Sequence, residues 1–171
     1  GNKHLSAKWI AGLKTVEGGT FQRKDEAGIM RIVGVSRFHI SDHEVTQKEF
    51  REILGANPSY FKGNDNLPVE QVNWYHAIAY CNKLSIKEGL EPVYEIAGLN
   101  WKELKYANIP TAEDPRWEFI EMDLRKCGYR LPTEAEWEFA ASGGKKEKPD
   151  SPRLLYSGSN RIDDVAWFVT N

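Results

Sequence analysis

A chain of 171 residues is one domain's worth and long enough for a sizeable core, and 40% apolar residues with six tryptophans fit a globular protein. A net charge of −2 and a pI near 6.1 leave no basic field for nucleic acid or an anionic membrane, and no apolar run approaches the roughly 18 residues of a membrane span. The N-terminus lacks a charged-then-apolar export pattern, and two cysteines, Cys81 and Cys127, are too few for a disulfide framework and lack metal-ligand spacing.

In chain order, residues 1–13 read as an N-terminal arm that contains Trp9 and Ile10. Strand signals occupy 14–22 and 31–42, where Ile32, Val33, Val35, Phe38 and Ile40 mix β-branched and aromatic side chains. His39 and His43, flanked by Asp42 and Glu44, resemble a metal cluster only superficially. On a strand the two side chains share a face but stand about 13 Å apart, so no joint site is expected. His4 and His76 have no partner pattern and default to surface or half-buried roles.

Thr46 with Glu49 forms a capping box, Val45 can staple to Phe50, and Phe50, Ile53 and Leu54 make an apolar stripe that Gly55 ends. The stretch from Asn57 to Pro68 is rich in breakers and reads as a loop. Asn73 then caps a second helix whose inward stripe is Trp74, Ala77, Ile78, Cys81 and Leu84, closed by Gly89. Cys81 on that stripe reads as a small core hydrophobe.

Between about 91 and 127, Val93-Tyr94 is a short strand. A helix is expected to begin near Asp114 and to carry Trp117, Ile120 and Leu124. Pro132 precedes a further capping box, Thr133 with Glu136, opening a helix with Ala135, Trp137, Phe139 and Ala140, and Gly143-Gly144 lies past its end. Residues 145–152 are polar and proline-containing, a solvated loop.

Chemistry is sparse. There is neither a nucleophile elbow nor a glycine-rich phosphate loop. Asn160, Asp163, Asp164 and Asn171 supply the oxygens calcium prefers, although a polar turn is the preferred reading. The aromatic set Trp74, Trp117, Trp137, Trp167, Tyr129 and Phe139 suggests a sugar-stacking platform, but helical spacing favours core packing.

The run from Gly128-Tyr129-Arg130-Leu131-Pro132-Thr133-Glu134-Ala135-Glu136-Trp137 to Gly144 resembles, nearly residue for residue, the core segment of the formylglycine-generating enzyme and sulfatase-modifying factor family. Matches also occur, in the family's order, at Val16–Phe21, Phe38–Thr46, Pro68–Trp74 and Ala79–Leu84. The resemblance implies an α+β, C-type-lectin-like fold: loop-rich, with a short twisted antiparallel sheet and about three or four short helices. It places the domain at 14–171, with 91–127 as an insertion relative to the shortest family members, of the type that usually decorates a surface. It also implies that the C-terminal part of the family fold is missing, read either as truncation or nicking of the chain or as a second fragment or chain that completes the fold.

Enzymes of the family oxidise a sulfatase cysteine to formylglycine with a copper-binding cysteine pair near the C-terminus, and soft thiolates suit that metal. Neither Cys81 nor Cys127 matches that pair, and the cysteine that pairs with the Cys81 position in some enzymes has no counterpart. Enzyme members also bind calcium near the position of Asn160. No catalytic, cofactor-binding or metal residue is therefore assigned. Copper is expected only if a further C-terminal half carries the cysteine pair.

The reading preferred from the sequence is a non-catalytic scaffold for a protein or other macromolecular ligand, bound on the C-terminal part of the fold. It resembles the retroelement-diversified display proteins of spirochaetes, which suggests the cell surface or periplasm. The alternative is a fragment of a formylglycine-generating oxidase. Glu134, Glu136, Arg130 and Trp137 are read as architecture, with both carboxylates capping and Arg130 anchoring a hydrogen-bond network.

Overall fold

Strand propensity in the first third of the chain resolves into four short strands: β1 (Leu13–Val16), β2 (Gly19–Lys24), β3 (Met30–Val35) and β4 (Phe38–Ser41). The computed structural model describes residues 12–144. β2 and β3 pair antiparallel from Gly19↔Val35 to Lys24↔Met30, and β1 and β4 pair from Leu13↔Ser41 to Val16↔Phe38. The expected strands at 14–22 and 31–42 are thus each divided. The first break falls at Glu17-Gly18, where a Cβ on Gly18 would stand only 2.5 Å from the Val35 carbonyl oxygen. The second falls at Ser36-Arg37.

The β2–β3 turn is built by one carboxylate. Asp25 Oδ1 accepts from the amides of Ala27 and Ile29 at 3.0 and 2.9 Å, and its Oδ2 pairs with Arg31 Nε at 2.9 Å. The Ile29 amide, then Arg31, hold this carboxyl below the usual range.

Residues 12–42 and 132–144 form one compact unit, and residues 43–131 form another. In the first, helix α4 (Glu134–Ala141) starts at the expected Thr133–Glu136 capping box. It lays fully buried Phe139 against Phe21, ring centroids 5.6 Å apart, with Val35 alongside.

The second unit contains α1 (Gln47–Leu54), α2 (Trp74–Lys87), the antiparallel pair β5 (Tyr94–Glu95) and β6 (Glu121–Met122), a 3-10 turn at Tyr106–Asn108, and α3 (Pro115–Glu118). Both expected helix starts hold: Thr46 forms its box with Glu49, and Asn73 caps α2 with His76 as the reciprocal partner. Gly55 ends α1 at φ 78°, a left-handed conformation that suits glycine.

The segment 91–127 does not decorate a surface. Tyr94, Ile96, Trp101, Leu104, Ile109 and Trp117 are buried with Phe50, Leu54, Ile78, Ala79 and Cys81 in a single cluster. These side chains follow no helical or strand period, because short irregular stretches deliver each one separately. The helix expected near Asp114 does start there, with Asp114 Oδ1 accepting from the Arg116 amide at 2.9 Å, but it stops at Glu118. Glu121–Met122 then pairs with β5, and Leu124 is exposed.

Two buried polar side chains of α2 position what surrounds it. Asn82 donates to the Tyr94 carbonyl at 2.7 Å and accepts from the Tyr94 amide at 3.1 Å. Ser85 Oγ donates to the Cys81 carbonyl at 2.7 Å and accepts from the Tyr129 amide at 2.8 Å. Gly128 is needed here, since a Cβ would collide with the Glu91 carbonyl oxygen. The tyrosine hydroxyl of Tyr94 accepts from the Leu131 amide at 3.0 Å, which fixes the 128–131 run. Among the described residues, no helix is long and apolar enough to cross a membrane.

Candidate binding surface

Between Gly55 and Asn73 the chain has no regular element, yet its backbone is tied down from end to end. The free amides of the first turn of α1, at Gln47 and Lys48, donate to the carbonyls of Leu67 and Asp65 at 2.9 and 3.0 Å, so the loop itself caps the helix. Arg51 grips Asp65 with two bonds of 2.9 and 2.7 Å. The Val69 amide donates to the Val45 carbonyl at 2.9 Å.

Gln47 is the internal strut. Buried at 2% exposure, it donates from Nε2 to the carbonyls of Phe61 and Pro68 at 2.9 and 3.4 Å and accepts from Asn57 Nδ2 at 2.8 Å. Glu70 closes the far side by accepting from the Phe61 amide at 3.0 Å. Buried polar groups that find all their partners rigidify a segment.

This frame turns its apolar side chains outward. Tyr60 and Phe61 are 76% and 66% exposed and meet edge to face, ring centroids 5.2 Å apart. Leu67, Val72 and Trp74 are further exposed apolar side chains of the same stretch. Gln71, at φ 61°, is the one non-glycine residue with positive φ among the described residues. Large aromatic side chains held in fixed positions are the usual anchors of protein interfaces, since little ordering entropy remains to be lost.

The three histidines among the described residues are engaged in structure. His39 Nδ1 lies 3.1 Å from Thr15 Oγ1, and His43 Nε2 lies 3.1 Å from Glu49 Oε1, so each histidine has a partner of its own. His76, read from the sequence as surface or half-buried, is 3% exposed. Its Nδ1 sits at Asn73, and burial lowers its pKa. No group of three or more metal-ligating side chains forms among the described residues. Cys81 is buried, and burial pushes its thiol up to about 12, which leaves it protonated and unreactive. Cys127 is a free, exposed cysteine.

Of the residues read as architecture, Glu136 caps α4. Glu134 does not cap: it pairs with Arg23 at 2.7 Å, and Glu138 lies 3.1 Å from the same guanidinium. Arg130 Nη1 donates to the Leu131 carbonyl at 3.0 Å. The aromatic set divides: Trp117 and Phe139 are core, Tyr129 is half-buried, and Trp74 and Trp137 are 50% and 61% exposed, contrary to their helical spacing. Trp167, Asn160, Asp163, Asp164, Asn171, His4, Trp9, Ile10 and the 145–152 loop lie outside the described residues.

Residues 6–171 match the sulfatase-modifying factor enzyme 1-like domain. A protein of Paenibacillus barcinonensis named chaperone protein LppX is 45% identical over 159 residues, which is 93% of this chain and 54% of the relative. The chain therefore spans about half the length of the curated relative it matches. Among solved structures, Treponema denticola variable protein 1 superposes with a TM-score of 0.77 at 37% identity, over 89% of this chain and 57% of its own. CarF superposes with a TM-score of 0.64 over 87% of this chain and 63% of its own, and at 24% identity that likeness concerns the fold alone.

Proposed function

This chain belongs to the sulfatase-modifying factor enzyme 1-like family, and from that premise we propose that it is a non-catalytic binding scaffold whose ligand is a polypeptide with exposed apolar side chains. The observation that carries the reading is the 57–74 segment. A buried strut at Gln47 and a brace at Glu70 hold the Phe61 backbone, and the side chains of Tyr60 and Phe61 stand out to solvent. Exposed aromatics on a rigid frame are costly for a protein that binds nothing, since they invite association.

The relatives are compatible with this reading. One carries the name of a chaperone and another that of a variable protein, and both names suit a surface that contacts other chains. The C-terminal face that the family resemblance assigns to ligand lies outside the described residues, and we retain it as a second contact region of the same scaffold.

The alternative, a formylglycine-generating oxidase, requires a reactive cysteine pair. Among the described residues the Cys81 thiol is sealed in the core and Cys127 is a separate, exposed thiol. The deciding experiment incubates the full-length protein and copper with a sulfatase-derived cysteine peptide, read by mass spectrometry. An unchanged peptide mass is expected, whereas conversion of the cysteine to formylglycine would overturn the proposal.

A further inference from the structure

We infer that the joint between Asn73 and His76 at the start of α2 is an acid-sensitive latch, which holds the 106–110 segment against that helix while the imidazole is neutral and releases it when the imidazole is protonated. The geometry concentrates several contacts on one ring. His76 Nδ1 lies 2.6 Å from Asn73 Oδ1 and 3.3 Å from the Asn73 amide nitrogen. Asn73 Nδ2 donates to the Pro110 carbonyl at 2.9 Å, and the His76 ring packs on Tyr106 with centroids 5.2 Å apart. One imidazole thus touches both sides of the joint.

The neutral tautomer with hydrogen on Nδ1 suits this site. It donates to Asn73 Oδ1 and leaves Nε2 without hydrogen, whereas the other tautomer closes the capping box by accepting from the Asn73 amide but buries an Nε2–H with no partner. Nε2 is buried with no hydrogen-bond partner. Protonation puts hydrogen on both nitrogens. The Nδ1–H bond to Asn73 Oδ1 is kept, but Nε2 becomes a buried donor without an acceptor, and a positive charge stands at the positive end of a 14-residue helix. The unpaired Nε2–H and the helix end both favour exit of the charged ring. The ring gains water only by swinging out, which breaks its stack on Tyr106 and pulls Asn73 from Pro110.

The groups facing the ring are Asn73 from the cap and, from the 3-10 turn, Tyr106, the titratable neighbour. Burial alone moves the imidazole, downward from its ordinary 6.5, and no carboxylate, lysine or arginine contributes. Because the folded value is depressed, the joint is unpenalised above the unfolded value of 6.5, and stability is lost as pH falls from there through the folded value. Gln71, at φ 61°, lies just upstream, and exposed Val72 and Trp74 flank the joint.

The test follows the His76 ring by NMR and backbone hydrogen exchange of the full-length protein between pH 7.5 and 4.5, corrected for intrinsic rates, in the wild type and in His76→Gln. Protection of 106–110 is expected to fall at least tenfold with a midpoint that coincides with the His76 titration, and to be independent of pH in His76→Gln. A loss of protection whose midpoint differs from the ring's own titration overturns the latch even if the variant does not fold. So does an undiminished response in His76→Gln, or protection that survives protonation.

Discussion

Ser59 and Glu70, eleven positions apart, close the candidate surface: Ser59 Oγ accepts from the Glu70 amide at 3.1 Å and donates to its carbonyl at 3.4 Å, with the serine almost fully buried. Together with Gln47 this pair decides whether the loop is a surface or a tether. Gln47→Leu keeps the volume but leaves the Phe61 carbonyl and the Asn57 amide unpartnered, and an orphaned buried group costs about 1–3 kcal/mol. Chemical denaturation is expected to show a loss of that size. Amides 59–62 should also exchange faster in the variant than in the wild type.

The unit of β1–β4 and α4 depends on Phe139, fully buried against Phe21. Truncation to alanine removes a ring that its neighbours cannot replace, so Phe139→Ala is expected to cost about 3–5 kcal/mol in a thermal or denaturant melt. Trp137→Ala, two positions away on the exposed side, should stay within about 0.5 kcal/mol of the wild type.

Gly128→Ala is a test of close approach. The added methyl meets the Glu91 backbone oxygen and the Ser85 hydroxyl, so the 128–131 run must shift. Overpacking of this type costs about 1–3 kcal/mol. The melting temperature should drop accordingly, and the Tyr129 amide should lose protection as its bond to Ser85 opens.

The two thiols should differ in reactivity. In the native protein a thiol reagent is expected to titrate one cysteine, Cys127, at ordinary rates, and to reach Cys81 only in denaturant. Fast modification of Cys81 under native conditions would contradict the packed core around α2.

What could be read from the chain beforehand follows from the range of the interactions. Helix starts at Thr46, Asn73 and Thr133 were legible because a cap and its partner lie three residues apart. The fold was legible through the Gly128–Gly144 signature and the ordered motifs before it. Trp101, Leu104 and Ile109 escaped notice as core because no local period links them, and each reaches the cluster by an irregular stretch. Glu134 was taken for a cap since its ion-pair partner, Arg23, is remote in sequence. Burial of His76 and exposure of Trp74 depend on which neighbours cover α2, which periodicity does not encode. The Tyr60–Phe61 surface was hidden inside a stretch legible only as breaker-rich loop. Gln47, sitting in an apolar-stripe helix, carried the one available hint, a polar residue on the inward side.

The most direct measurement is calorimetric titration of the full-length protein with a permanently unfolded polypeptide, reduced and carboxymethylated α-lactalbumin, comparing the wild type with the Tyr60→Ser, Phe61→Ser double variant. Both side chains are exposed, so the double variant should melt with the wild type, yet bind at least tenfold more weakly, a loss of about 1.4 kcal/mol or more. Equal affinity in the two proteins, or no binding by the wild type, would contradict the assignment of this loop as the contact surface.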